Sequence, residues 1–530
     1  MRVKCLSRLS IVVLANSSGC SLLSATTSIS RASSSVVSIP KMTGQIQGIE
    51  WHDLKVPPEE LRPNLTLSMG QCFNWNKLCD DLWVGTVGGR ALAIQQTAET
   101  TLFASLMPLE SGGVDGLEAE LRDYFQLSHG LAECYTTWAA ADPRMKIVLS
   151  HLPGVRVVRQ CPWECLVSFI CSSNNNIKRI ALMLDRIRST YGEYRCSVVG
   201  SAETGWKVVH DIPIKAVVEK SGASSSSSSS TPLVATPAKK RKGGEVGEAA
   251  DGEGDGEEED GEEEQVGDGE LPLTAATGKP LHFFSFPGAP TLAAVSEEDL
   301  RGLGTGYRAK FIKNSAATLE ELGGLPWLVA LRKGRPQAPD AVPEVPSELD
   351  TEAAGEGEAP KKPKKSPKGG RAKAKPVLCD RLWVQDQLQC FPGVGRKVAD
   401  CVAVFSLDQA EAVPVDTHVW AIAVRDYNAG LKEHQSLTPS VYELIGDEFR
   451  NRFTLAGWAH SVLFAAELPE FRRLLPELLQ DEMKAFAEQR GQDKRDKREA
   501  LSAKKAEKAE MAGSGAGSGS GKKKTKLVVD

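Results

Sequence analysis

Residues 380–427 read DRLWVQDQLQCFPGVGRKVADCVAVFSLDQAEAVPVDTHVWAIAVRDY, and this stretch decides the fold. Its apolar spacing predicts a helix ending at Phe391, a tight turn at Pro392-Gly393-Val394-Gly395, and a second helix from about Arg396. Glycine at 393 and 395 permits positive φ and leaves backbone N–H groups facing outward at a helix start. Such a nest can hold a phosphodiester without reading its sequence. A PGVG turn alone joins many helix pairs, so its meaning depends on the residues C-terminal to it. Lys397 falls in the first turn of the second helix, with Cys401 one turn later on the same face. The positive helix end and desolvation both favour the neutral amine, which can attack carbon. Asp416 stands just before another apolar helix, HVWAIAV, where it is suited to cap the N-terminus. If it also faces the cavity of Lys397, it could stabilise positive charge on a sugar and assist proton transfer.

Working outward, the 530 residues carry 64 Lys+Arg and 69 Asp+Glu, a formal charge of −5. Residues 244–270 hold 14 acidic side chains and no basic one, so the remainder is net positive at +9. The near-neutral total is an average over parts with opposite character. Segments 1–46, 216–275, 334–376 and 483–530 hold too little apolar surface to offset the entropy of ordering and are expected to be disordered. No stretch approaches 18 consecutive apolar residues, which excludes a multi-pass helical membrane protein. Short alternating runs from Trp51 to about Ala98 predict an antiparallel sheet, and beyond about Leu117 the spacing turns helical. The expected class is therefore α+β: an N-terminal α+β domain over 47–150 packed on a helical body over 151–482. Disordered inserts would interrupt that body at 216–275 and 334–376, and a charged, Gly/Ser-rich tail would extend from 483 to 530.

The leader 1–46 is basic, serine-rich and free of acidic residues, as organellar transit peptides are; a plain disordered leader or a short secretory signal are the alternatives. Basic clusters at Lys239–Lys242, Lys361–Lys368 and Lys522–Lys526 suit nuclear import or loose nucleic-acid contact, or are solvated padding. The composition therefore points to the nucleus, with a mitochondrion or plastid as a second address. The twelve cysteines form no CxxC pair, and Cys161, Cys165 and Cys171 lie in an apolar run that suits buried thiols. No cysteine stands C-terminal to Cys401.

PGVGRKVADC followed by AVPVDTHVW closely resembles the helix-hairpin-helix, Gly/Pro-Asp DNA glycosylase superfamily, and within it the eukaryotic 8-oxoguanine DNA glycosylases. LTLSMGQCFNW, ECLVSFICSSNNNIKRI, GLGTGYRAKFI and AGWAHSVLFAAEL resemble further segments of that family, in its order. The resemblance implies a base-excision-repair enzyme that removes 8-oxoguanine opposite cytosine and cuts the strand by β-elimination. Lys397 would form a Schiff base to C1′ of the flipped nucleotide, with Asp416 as the accompanying carboxylate. Tyr307 would wedge into the vacated site, while Arg308, Asn174 and Arg179 would read the orphaned cytosine. Asn174–Asn176 also suit a helix-capping turn.

In the lesion pocket the resemblance implies Gly70, whose carbonyl would accept the N7–H of 8-oxoguanine, and Cys401 and Phe464 on the two faces of the base. Gly393, Gly395 and His418 would hold phosphate. His460 departs from the family, which has glutamine there. Neutral imidazole donates and accepts only through two differently placed nitrogens, which puts base-edge recognition in question. Related branches with an iron–sulfur cluster use four cysteines after the catalytic domain, so no cofactor and no such cluster are expected here. The implied partner is double-stranded DNA containing 8-oxoguanine opposite cytosine, bound by a monomer, without a membrane. Two alternatives stay open: a glycosylase of broader oxidised-base range, and a non-catalytic helix-hairpin-helix DNA-binding protein.

Overall fold

Four consecutive strands, β3 (Trp75–Cys79), β4 (Leu82–Val87), β5 (Arg90–Gln96) and β6 (Thr101–Ser105), form an antiparallel meander. β2 (His52–Asp53) completes the sheet along β6, in the order β2-β6-β5-β4-β3. The β4–β5 turn uses Gly88 and Gly89 at φ 56° and 79°, the twist-matched hairpin geometry that side chains resist. Both faces of this sheet are covered. Trp83, Leu92, Ile94 and Phe103 pack with Leu117 and Leu121 of the Gly113–Tyr124 helix. Leu82, Val84, Ala91 and Ala93 pack instead against a second sheet. The structure is a computed structural model and describes residues 46–109, 112–210, 280–334 and 380–514. The acidic tract, the three basic clusters and all of the leader but Ile46 lie outside the described residues.

The second sheet corrects the expected domain plan. β7 (Tyr194–Ser201), β8 (Gly205–Val209) and β9 (Leu281–Phe284) come from residues expected in the helical body, and β1 (Ile46–Gln47) pairs parallel to β8. Cys196, Val198, Trp206 and Phe283 complete the sheet-on-sheet core. β7 and β8 form a local hairpin, but β9 joins it only after a long insertion and β1 from far upstream, so no single segment of sequence spells out the sheet. The helical boundary moves the other way. Leu131, Trp138, Met145 and Leu149, from the Leu131–Ala141 and Pro143–His151 helices, bury in the helical core rather than under the sheet.

That core centres on the Arg396–Ser406 helix, whose Val398, Ala399, Cys401, Val402 and Phe405 are all buried. It packs on the Pro162–Ile170 helix, which is buried at every position but Glu164, and Phe169 stacks on Phe405 with ring centroids 5.5 Å apart. Arg156 pins the sheet layer to the helices. It is 1% exposed and donates to Glu60 Oε2 (2.7 Å) and to the Gln126 carbonyl (2.8 Å). Burial alone would raise the Glu60 carboxyl, but the Ala132 and Leu131 amides and Arg156 together hold it below its usual value.

Two ends of the described chain meet at one point. A Cβ placed on Gly334 would lie 2.9 Å from Asp380 Cγ, so the described residues on either side of 335–379 lie together. At the C-terminus, the chain expected to be a disordered tail from 483 continues as one helix, Glu477–Ser514. Ala, Glu, Lys, Gln and Arg are strong helix formers, and i,i+4 pairs such as Gln489 with Asp493 support them. No described helix is long and apolar enough to cross a membrane.

Candidate active site

The hairpin forms as its sequence requires, with one correction. Gly393 takes φ 80°, and a Cβ there would strike the Phe311 ring at 2.6 Å. Gly395 does not use positive φ. It is an extended N-cap (φ −89°, ψ −177°) with open space around it. Its role is therefore clearance: the uncapped N–H groups of the first turn face outward past a residue without a side chain.

Two residues on, Lys397 is half-buried. Its Nζ lies 5.6 Å from the centre of the Phe169 ring and 3.5 Å from Ser172 Oγ. Asp416 caps the Thr417–Ile422 helix, Oδ1 accepting the amides of His418 (2.9 Å) and Val419 (3.0 Å). The cap fixes the carboxylate, and two neighbours feel both charges. Burial pushes the Cys401 thiol up to about 12, with Lys397 pulling it down and Asp416 pushing it further up. Burial pushes the His460 imidazole down to about 4, with Asp416 and Lys397 opposing each other. Lys397, Cys401, Asp416 and His460 thus share one electrostatic neighbourhood.

His460 is 4% exposed and enclosed by rings: Phe449 edge-on at 5.8 Å and Phe464 tilted at 6.2 Å, with His418 edge-on to Phe464 at 6.0 Å. Neither imidazole nitrogen has a hydrogen bond of ordinary geometry, and the Gly457 carbonyl supplies only a weak contact. An unsatisfied buried ring is costly unless a ligand completes it.

The expected partner-base residues form a second cluster joined to the first by the loop Ser172–Asn176. Asn174 adopts φ +46°, and Asn176 caps the Ile177–Tyr191 helix through the Arg179 amide at 2.9 Å. Arg179 and Asn174 are exposed. Tyr307, 51% exposed, donates its hydroxyl to the Ser173 carbonyl at 3.1 Å. Arg308 differs from an open donor: it is 3% exposed, lies over the Tyr307 ring, and gives Nη2 to the carbonyls of Ser173 and Asn174. Gly70, at φ 79°, sits against Ile177 at the start of the helix after this loop. Phe169, Ser172 and Phe449 were not anticipated from sequence. Among the described residues no cluster of three or more His, Cys, Asp or Glu side chains could hold a metal.

The fold and site are thus those of a helix-hairpin-helix with a lysine at the start of the second helix and a capping aspartate in the same electrostatic neighbourhood. Residues 53–166 match the family model for the N-terminal domain of 8-oxoguanine DNA glycosylase. The chain is also similar in sequence to eukaryotic N-glycosylase/DNA lyases. It is 29% identical over 434 residues to the N-glycosylase/DNA lyase OGG1 of Arabidopsis thaliana, covering 81% of this chain and 84% of the relative. It is 23% identical over 442 residues to the N-glycosylase/DNA lyase of Saccharomyces cerevisiae, covering 78% and 85%. Among solved structures, similar chains include the Clostridium acetobutylicum 8-oxoguanine glycosylase/lyase bound to DNA with cytosine opposite 8-oxoguanine. That match has 17% identity, a TM-score of 0.47, and coverage of 80% of this chain and 98% of that one.

Proposed function

We infer that this protein is a base-excision-repair DNA glycosylase with associated β-elimination lyase activity, acting on 8-oxoguanine paired with cytosine. The observation that carries the reading is the convergence of Lys397 and Asp416 on one neighbourhood at the mouth of the hairpin. With the nucleotide flipped out, the Lys397 lone pair attacks C1′ and the bond to the base breaks, the base leaving with the electron pair and taking up a proton. Ring opening gives an imine between Nζ and C1′. Loss of a C2′ proton then expels the 3′ phosphate. Asp416 stabilises the positive charge that develops on the sugar.

Tyr307, exposed beside Arg308, fills the vacated stack, Asn174 and Arg179 read the partner cytosine, and Arg308 joins them once its guanidinium leaves the Ser173 and Asn174 carbonyls. Gly70, Cys401, His460 and Phe464 line the lesion pocket, and Gly393, Gly395 and His418 meet phosphate. The protein acts as a monomer and needs no cofactor; its basic clusters point to the nucleus, with a mitochondrion or plastid as the second address that the leader suggests.

Borohydride reduction in the presence of an 8-oxoguanine:cytosine duplex tests the reading. It should yield a covalent adduct with the wild-type chain and none with Lys397→Gln; active protein that gives no adduct would refute the lyase step. His460 favours a second reading, a wider lesion range, because its two ring nitrogens set a different edge pattern from an amide. A lesion panel decides this: faster excision of oxidised pyrimidines than of 8-oxoguanine would select the wider range.

A further inference from the structure

The helix bearing Lys397 contains one buried acid that the proposed chemistry leaves unused. Asp400 is 0% exposed, within a run of Val, Ala and Cys. Both oxygens are occupied: Oδ1 accepts from Gln385 Nε2 at 2.8 Å, and Oδ2 accepts from the Tyr442 hydroxyl at 2.7 Å. That hydroxyl in turn accepts the amide N–H of Val415 at 3.2 Å, one residue before Asp416. At the other end, Gln385 Oε1 accepts from Arg396 Nη1 at 2.8 Å, one residue before Lys397. The residues immediately preceding the lysine and the aspartate are therefore joined by a single chain of hydrogen bonds: Arg396, Gln385, Asp400, Tyr442, Val415.

This chain is an expensive way to hold a core together. Burial raises the Asp400 carboxyl to about 6, opposed by the Tyr442 and Gln385 bonds and by Arg381, with Glu443 pushing it higher. A well-packed apolar residue would stabilise the same space at least as well, and the best-attested use of a buried ionic group is to specify one arrangement. The arrangement specified here is the placement of the Val413–Val415 backbone on the lysine helix. Tyr442 comes from a third element, the Pro439–Arg450 helix, and also lies 3.4 Å from the Val413 carbonyl.

We propose that Asp400 and Tyr442 are positioning residues that fix the Asp416 carboxylate relative to the Lys397 amine by bolting the aspartate-bearing loop to the lysine-bearing helix. The proposal rests on the glycosylase reading. It assigns these two residues no contact with substrate. Their effect belongs to the chemical step, where small misplacements of a catalytic group are costly.

The test is a double-mutant cycle read by single-turnover excision at saturating enzyme. Tyr442→Phe removes one oxygen and keeps the ring. It should slow excision by about 10- to 100-fold while duplex affinity stays within about twofold. On an Asp416→Asn background, the same change should cost less than about threefold, because the group being positioned has gone. Asp400→Asn, which cannot accept from both donors, serves as the second variant and should show the same pattern. Excision at the wild-type rate by either folded variant would overturn the proposal, and so would an equal loss on both backgrounds, the mark of a merely structural role. Wild-type protein that excises nothing would instead sink the glycosylase reading.

Discussion

The two hairpin glycines should respond oppositely to the same methyl group. At Gly393, alanine must hold φ near +80°, which costs an L-residue about 1–2 kcal/mol, and its Cβ would sit 2.6 Å from the Phe311 ring. Displacing that ring, which packs partly against the main core, adds roughly another 1 kcal/mol. Gly393→Ala should therefore lower stability by about 2–3 kcal/mol in total, with a fall of a few degrees in Tm. At Gly395, alanine meets ordinary extended backbone and nothing within 4 Å, so Tm should not move. The methyl would instead stand where a phosphate must approach the first-turn amides. Losing one charge-assisted contact of about 1.5–3 kcal/mol weakens duplex binding by roughly 10- to 100-fold. Thermal unfolding paired with fluorescence anisotropy on the same variants separates the effects. Wild-type affinity in Gly395→Ala would refute the claim that this hairpin grips the backbone. Equal Tm losses in both variants would refute the distinction drawn between them.

Other consequences can be measured directly. Because His460 is held neutral down to about pH 4 while an unfolded histidine protonates near 6.5, its stabilising contribution is full above pH 6.5. It is lost as pH falls toward 4, at up to about 1.4 kcal/mol per unit. His460→Gln should flatten the Tm–pH curve over that window, and parallel curves would count against the buried neutral ring. Arg156→Leu should destabilise by about 3–5 kcal/mol by leaving Glu60 and several carbonyls unmatched; a urea midpoint near wild type would contradict this. Tyr307→Ala should leave Tm unchanged, since the ring is half exposed, yet slow excision by roughly 5- to 100-fold through lost stacking; unchanged excision would remove Tyr307 from the wedge role. Iodoacetamide mapping at pH 8 should label exposed Cys390 well before Cys401, and the reverse order would mean that the pocket thiol is open.

The hairpin, the amine at its second helix and the aspartate cap were legible because each depends on near neighbours in the chain. Pro392 to Gly395 dictate the turn, and Asp416 caps amides two and three residues away. The two glycines look alike in sequence and are not, since only packing against Phe311 distinguishes them. The second sheet is only partly local in sequence: β7 and β8 form a hairpin within one window, while β9 joins β7 from the far side of the insertion and β1 joins β8 from the start of the described chain. The C-terminal helix departs from the expected disorder because its charge-rich composition is also one of good helix formers. Asp400 does leave a signal: an acid within VADCVAVF must be either exposed or specifically paired. Its partners, Gln385 and Tyr442, are 15 and 42 residues away and visible only in three dimensions.

The meeting of Gly334 and Asp380 has a consequence for how this chain can change. Because Gly334 and Asp380 already lie together, the entropic cost of linking them through a longer connection grows only logarithmically with its length. The junction is thus a docking port for foreign sequence. Residues 335–379 can be exchanged for a short glycine link, a fluorescent reporter or an affinity handle, and thermal stability should hold.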